Sequence, residues 1–365
     1  MVMRSGATTR TPQSAADPRW PGISWSPGTT RASSSRSDRP GSGAARWGVL
    51  RFMDLTARHR VVGGASMRLR LFSLLSAAAL FMLGAVPASA TSEGHDYLAL
   101  GDSVPFGFSP PLNPNDAHNF VGYPEIVAQG LDVKDVNAAC PGEATGGFLL
   151  LTGTDNVCRP YRASFPLHVE YQVSQMDFTL RYLTGHRDTR LITLTLGAND
   201  VFHLQNVCDA AHPGDPTAFA ACVNQALPAV LATMRANLNT ILSQIRATGY
   251  DGLIVAVTYY ALSYSDPASV AGSLALNAQM SAAAAVNGAL VASGFTAWQA
   301  AAFANGAGGD SCKAGLLIVK STLPLKCDVH PTPLGRDLLA NAVLNSVASS
   351  CPAHDARACL HLNNS

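Results

Sequence analysis

The sequence predicts an α/β fold built on a parallel sheet. Short apolar runs alternate with longer stretches that repeat apolar residues at helical spacing, and each run ends close to a Gly, Asn or Ser. Both features mark successive β-α-β units, in which helices cover the two faces of a buried sheet. Taken in order, a strand is expected at 97–100, another at 133–138 and a helix at 172–183. A strand at 191–196, a long helix at 218–247 and a strand at 253–258 follow. Then come a helix at 270–292, a weaker strand near 296–300 and a last helix at 333–347. The strands are short, apolar and rich in Val, Leu and Ile, whereas the helices are longer and rich in Ala, so length and residue type separate the two.

The first 66 residues are rich in Ser, Arg, Gly and Pro and show neither period, so no core is expected there. A basic Met67-Arg68-Leu69-Arg70, an apolar stretch over 71–84 and the small residues Ala88-Ser89-Ala90 have the form of a secretory signal peptide cleaved near Ala90. Such a signal works from the start of a chain, so Met67 is the expected start of translation, a disordered leader being the other reading. Residues 71–90 could also be read as a membrane anchor, but Pro87 and the absence of a following basic cluster favour cleavage.

The expectation is therefore one domain over residues 91–365, long enough for a substantial core. Twelve of the 25 Lys and Arg but only three of the 24 Asp and Glu precede residue 91, so the remainder carries 13 basic against 21 acidic side chains, a net charge of −8. That sign disfavours nucleic acid or an anionic membrane as partner and fits a soluble exported enzyme. All eight cysteines lie in this part, an even number in an exported chain, which implies four disulfides. Their grouping as near neighbours suggests Cys140–Cys158, Cys208–Cys222, Cys312–Cys327 and Cys351–Cys359.

Chemistry begins at the end of the first strand, where Gly101-Asp102-Ser103 presents one hydroxyl. A serine is a weak nucleophile unless a base takes its proton, and the tetrahedral oxyanion needs donors where its charge develops. His330, in Val329-His330-Pro331, is the candidate base. Gly142 and Asn199 are candidate oxyanion donors, one through its backbone N–H and the other through its carboxamide. Taken singly, each is as well explained as a turn residue or an ordinary surface histidine. Ser103, Gly142 and Asn199 each follow an expected strand, and ligands of open parallel sheets bind outside those strand ends. The Gly-rich 305–309 segment lacks the strand, helix and Lys of a phosphate cradle and is expected to be a surface loop. No zinc-ligand spacing occurs, and no metal or cofactor is expected.

These residues resemble the SGNH or GDSL serine hydrolases. Gly101-Asp102-Ser103 matches that family's first block, Asn137 to Gly142 its Asn-x-x-x-x-Gly stretch, Gly197-Ala198-Asn199-Asp200 its Gly-x-Asn-Asp, and His330-Pro331 its His-Pro. The resemblance implies a three-layer α/β/α sandwich with a flavodoxin-like sheet, Ser103 as nucleophile and His330 as base. It further implies an oxyanion hole from the Ser103 and Gly142 amides and the Asn199 side chain. One position departs from the pattern. The family places its acid three residues before the histidine, but here Cys327 stands there and Asp328 stands two before. Two arrangements stay open, a triad with Asp328 on the imidazole or a dyad with the Cys327 carbonyl orienting it.

Other serine hydrolases fit less well. The chymotrypsin-like Gly-Asp-Ser is followed by Gly-Gly and comes last, and the α/β-hydrolase elbow needs Gly where Pro105 stands. Phe106, Phe108, Phe120 and Tyr123 follow Ser103 closely and would either form an acyl-binding wall or pack the core. The expected substrate is a small-molecule or lipid ester, handled by a monomer with no nucleic acid partner and no stable membrane insertion. Deacetylation of a polysaccharide, or a silent binding protein on the same scaffold, are the alternatives.

Overall fold

The computed structural model describes residues 97–351 and 354–361. The expected leader, the signal peptide and its cleavage near Ala90 lie outside the described residues. The chain opens with β1 (Tyr97–Gly101), α1 (Ser103–Phe106), α2 (Tyr123–Leu131), β2 (Asp135–Asn137), α3 (Thr145–Leu149), α4 (Cys158–Ser164) and α5 (Gln175–Gly185). It continues through β3 (Leu191–Thr195), α6 (Ala198–Ala211), α7 (Pro216–Ala247), β4 (Leu253–Val257), α8 (Pro267–Val286) and β5 (Leu290–Ala292). Next come α9 (Gly294–Phe303), β6 (Leu317–Thr322), β7 (Leu325–Pro331), α10 (Pro333–Ser349) and α11 (Ala356–His361).

β1 to β5 form one parallel sheet in the order β2-β1-β3-β4-β5, the doubly wound order of flavodoxin-like folds. Tyr97 pairs with Asp135 on one side and with Leu191 on the other, and Leu191 in turn pairs with Leu253. All five residues of β1 and of β3 are buried, as strands covered on both faces must be. Helices α2, α9 and α10 pack together in one layer, and α5, α7 and α8 in the other. Helix starts follow local chemistry. Asp215, Asp266 and Thr332 cap α7, α8 and α10 with their side chains, and each is followed by a proline at the first helical position.

The sequence misplaces the fifth strand. Helix α8 stops at Val286, with Gly288 behind it in the left-handed region, so 290–292 is free to pair with β4. The expected strand near 296–300 is instead inside α9, whose Ser293 side chain accepts from the Thr296 N–H. That cap outweighs the strand preference of Thr296 and Trp298. A second departure is the antiparallel hairpin β6–β7, which the sequence did not suggest. Helix α7 is long and apolar enough, by length and composition alone, to cross a membrane. Its C-terminal half nevertheless buries Met234, Leu238, Ile241, Leu242 and Ile245 in the core.

Three of the four expected disulfides are formed, Cys140–Cys158, Cys208–Cys222 and Cys312–Cys327. The fourth involves Cys359, whose side chain lies outside the described residues.

Candidate active site

The doubly wound order makes β1 and β3 neighbours at the point where the chain reverses direction across the sheet, and the site is built on their carboxyl ends. β1 ends in Gly101 at φ 130°, where a Cβ would lie 1.9 Å from the Thr195 carbonyl oxygen, so only glycine lets the two strand ends approach this closely. Gln175 mimics a further strand. Its carboxamide accepts from the Gly101 N–H at 2.6 Å and donates to the Gly101 carbonyl at 3.0 Å. Ser103 is the first residue of α1, and Asp102 caps that helix by accepting from the Val104 N–H at 2.9 Å. The Ser103 residue is 8% exposed. Its hydroxyl enters no hydrogen bond among the described residues. Bonds from nucleophile to base are often loose without substrate and tighten on it.

His330 stands on β7, which packs against α1. Alternate residues of a strand share a side, so Asp328, two before His330, falls on the same side as the imidazole. Asp328 Oδ1 bonds His330 Nδ1 and also accepts from the His330 backbone N–H at 3.1 Å. Its other oxygen lies 3.6 Å from Lys320 Nζ. Burial pushes the Asp328 carboxyl up, but the bonds and charge of His330, with Lys320, outweigh it and hold the group below its ordinary value. The Tyr260 hydroxyl donates to the Val329 carbonyl at 2.6 Å, and Phe108 sets its ring edge-on to the imidazole at 5.0 Å. Asp328 and His330 thus meet within one strand, two residues apart.

Cys140 N–H bonds the Gly101 carbonyl, so the loop to Gly142 leaves from beside β1. Gly142 has φ 82°, and a Cβ there would sit 2.1 Å from Val157 Cγ2. Asn199, in the first turn of α6, is buried and turns its Nδ2 toward Asp102 Oδ2 at 3.5 Å. Its neighbour Asp200 holds the opposite loop, accepting from the Thr145 N–H at 3.0 Å and the Thr145 hydroxyl at 2.6 Å. Asn137, the first residue of the second block, donates to the Pro105 carbonyl and to Glu125, both at 2.8 Å. The Gly142 loop, through Cys140, and Asn199, through Asp102, thus lie near the carboxyl end of β1 where Ser103 begins α1, and β7, which carries Asp328 and His330, packs on that helix.

Asp102 is fully buried. Burial raises its carboxyl to about 6, against the opposing effect of hydrogen bonds from Tyr259 and the Val104 N–H. Gln175, Tyr259, Tyr260 and Asn156 escape a sequence reading because each acts across the chain. Phe106, Phe120 and Tyr123 are core residues, whereas Phe108 packs against His330, and Phe108 and Tyr123 both line the cavity beside α1. Cys140, Glu143 and Cys158 cluster with metal-like spacing, but both sulfurs are spent in a disulfide.

Residues 99–338, about two thirds of the chain, match the GDSL-like lipase/acylhydrolase family. The chain belongs to that family. As a GDSL hydrolase it is a carboxylic ester hydrolase, acting on small-molecule esters. Among solved structures it is similar to an extracellular lipase from Streptomyces rimosus, at 20% identity over 69% of this chain and 100% of that one, with a TM-score of 0.47. It is also similar to phospholipase A1 from Streptomyces albidoflavus, at 21% identity over 69% and 99% with a TM-score of 0.45. An acetylxylan esterase from Geobacillus stearothermophilus aligns at 15% identity over 70% and 94%, with a TM-score of 0.42. No significant match was found among curated protein sequences.

Proposed function

We propose that this GDSL hydrolase is a secreted carboxylester hydrolase with Ser103 as nucleophile, His330 as base and Asp328 as the acid of a triad. The observation that carries the reading is the bond from Asp328 to His330 Nδ1, on a strand packed against the helix that Ser103 begins. With Nδ1–H held by the carboxylate, Nε2 is the nitrogen that can accept a proton. Ser103 Oγ attacks the ester carbonyl carbon while its proton passes to Nε2. The carbonyl π electrons move onto oxygen, where the Ser103 and Gly142 N–H groups and Asn199 Nδ2 stabilise the charge. Collapse breaks the bond to the alcohol, which leaves with the proton from His330. A water then repeats the sequence on the acyl-enzyme, giving up its proton to His330, and releases the acid with Ser103 restored.

In this reading a short acyl group is the recognised part, since the cavity beside α1 is small, although none of Ser103, Gly142, Asn199 and His330 lines it. It measures about 190 Å³ and is lined by Val104, Phe108, Tyr123, Leu112, Ile318 and Arg336 among others. That is below the ~300–1,000 Å³ of pockets that enclose drug-sized ligands. Export is supported by the signal-like 67–90 sequence together with the three disulfides. Helix α7 reads as a surface helix of the domain and not as a span, because its far half is core and Cys222 ties its start to α6.

The test is hydrolysis of p-nitrophenyl esters from acetyl to palmitoyl by residues 91–365 and by Ser103→Ala. The expected result is a rate that falls with acyl length and vanishes in the variant. Turnover that survives Ser103→Ala would remove the serine mechanism, and a maximum at palmitoyl would remove the short-acyl reading.

A further inference from the structure

We infer that Asn156 is a positioning residue that fixes which end of the Asn199 carboxamide faces the substrate. The inference rests on the reading of Asn199 as an oxyanion donor. A carboxamide is nearly symmetric in shape but not in charge, so a half-turn exchanges its NH2 for its carbonyl oxygen. One orientation stabilises a developing oxyanion and the other repels it. Nothing in Asn199 itself chooses between them.

The choice is made by a chain of three bonds. Asn206 Nδ2 donates to Asn156 Oδ1 at 3.0 Å, and Asn156 Nδ2 donates to Asn199 Oδ1 at 3.0 Å. Asn199 Nδ2 then faces Asp102 Oδ2 at 3.5 Å. Every link points the same way, and the link from Asn156 is much shorter than the one to Asp102. Asn199 and Asn206 are seven residues apart on α6, close to two full turns, so both present to the same loop.

That loop also serves the other donor. The Asn156 and Val157 N–H groups donate to the Gly142 carbonyl at 3.3 and 3.2 Å, and Val157 packs where a Gly142 side chain would stand. Cys158, next in sequence, is bridged to Cys140 on the Gly142 loop. One short segment therefore holds both donors that come from outside α1.

The discriminating variants are Asn156→Asp and Asn156→Ala. The carboxylate keeps the shape and the bond from Asn206 but offers Asn199 no N–H. It would draw Asn199 Nδ2 to itself and turn the carbonyl oxygen toward the substrate. The alanine only removes the constraint. We expect kcat to fall about 10²-fold in Asn156→Asp, close to the ~10²–10³ expected for Asn199→Ala, and about tenfold in Asn156→Ala. KM should change little, because the oxyanion exists only beyond the ground state. In an Asn199→Ala background both Asn156 substitutions should be silent in kcat. Asn206→Ala, at the end of the relay far from Asn199, should give a smaller loss that is likewise silent in that background. Thermal unfolding accompanies each variant.

A purely structural Asn156 predicts the reverse order, with the alanine worse than the near-isosteric aspartate and a fall in Tm tracking the loss. That order, or losses that persist unchanged in the Asn199→Ala background, would overturn the inference. Asn199→Ala with kcat within about threefold of wild type would overturn the oxyanion reading instead, and the inference with it.

Discussion

Asp328→Asn separates a triad from a dyad, and the structure sets the size of the effect. One oxygen of Asp328 accepts from both the ring Nδ1–H and the backbone N–H of His330, and the other faces Lys320. An asparagine could keep its oxygen on His330 and turn its NH2 toward Lys320, whose exposed side chain can swing into solvent. Flipping the amide would instead oppose its NH2 to the backbone N–H. The first orientation should dominate, so the imidazole keeps its tautomer and loses only the charge that stabilises it when protonated. Two unit charges about 4 Å apart at an effective dielectric near 20 attract by about 4 kcal/mol. That corresponds to about 10³ in rate, rising toward the ~10⁴ of a reversed tautomer to the extent that the amide flips.

The assay is kcat/KM on a short-chain p-nitrophenyl ester, with Tm recorded to show that the hairpin still forms. Lys320→Ala serves as the control and should stay within about twofold, since an exposed partner 3.6 Å away contributes little. Activity of Asp328→Asn within tenfold of wild type would refute the reasoning and leave a dyad. Because the Asp328 carboxyl is held below its ordinary value, its stabilising effect is complete above about pH 4, the unfolded value. It disappears only as the pH falls through the still lower folded value, so no loss of activity between pH 5 and 8 should trace to this group.

Two further predictions concern stability and the bridges. Burial raises Glu125 to about 7, against the bond from Asn137, so between about pH 4.5 and 7 the folded chain holds a proton that the unfolded chain has released. Unfolding free energy should therefore fall as pH rises through that window, by at most about 3 kcal/mol from this group, and Glu125→Gln should flatten the fall in urea titrations at pH 5 to 8. A difference between the two proteins that stays constant with pH would contradict this. Replacing Cys140 and Cys158 by Ser, or Cys312 and Cys327 by Ser, should cost about 3 kcal/mol of stability and, at temperatures where the chain stays folded, also lower kcat. The same change at Cys208 and Cys222 should cost stability with kcat nearly unchanged, and equal kcat losses from all three pairs would count against a positioning role for the first two.

How much of this was legible in the sequence depends on how far a residue's determinants lie along the chain. β1, β3 and β4 are buried on both faces, so they show as unbroken apolar runs, and Ser103 and Asn199, just after β1 and β3, could be named. β5 was hidden because three residues cannot display a period and the Ala-rich helix before it runs on in the same composition. β7 reads Leu-Lys-Cys-Asp-Val-His-Pro, with charges and a proline that obscure a strand, so the sequence left the choice between a triad and a dyad open even though it showed Asp328 two residues before His330. Gln175 reaches Gly101 across 74 residues, Asn156 reaches Asn199 across 43, and Tyr259 reaches Asp102 across 157. No local pattern encodes a carboxamide or hydroxyl that finds its partner over such a separation.

The placement of the disulfides follows from what a parallel sheet can and cannot position. Ser103 and Asn199 stand two and four residues beyond their strands, each within the first turn of a helix that the strand end launches, so the sheet itself fixes them. Gly142 is five residues past β2 in a loop of irregular backbone, and His330 is not on the sheet at all but on a separate hairpin. Those are the two site residues with a bridge close by, Cys140–Cys158 beside Gly142 and Cys312–Cys327 at the foot of β7. Cys208, by contrast, lies nine residues along α6 beyond Asn199 and joins two helices at a distance from the reacting groups. In the proposed site, cross-links would substitute for hydrogen-bonded sheet at Gly142 and His330, and a loop held in this way loses little more entropy when it binds a transition state. The same logic assigns the Cys140–Cys158 bridge and Asn156 to one device, since the bridge sets the loop and the carboxamide carries its position across to Asn199.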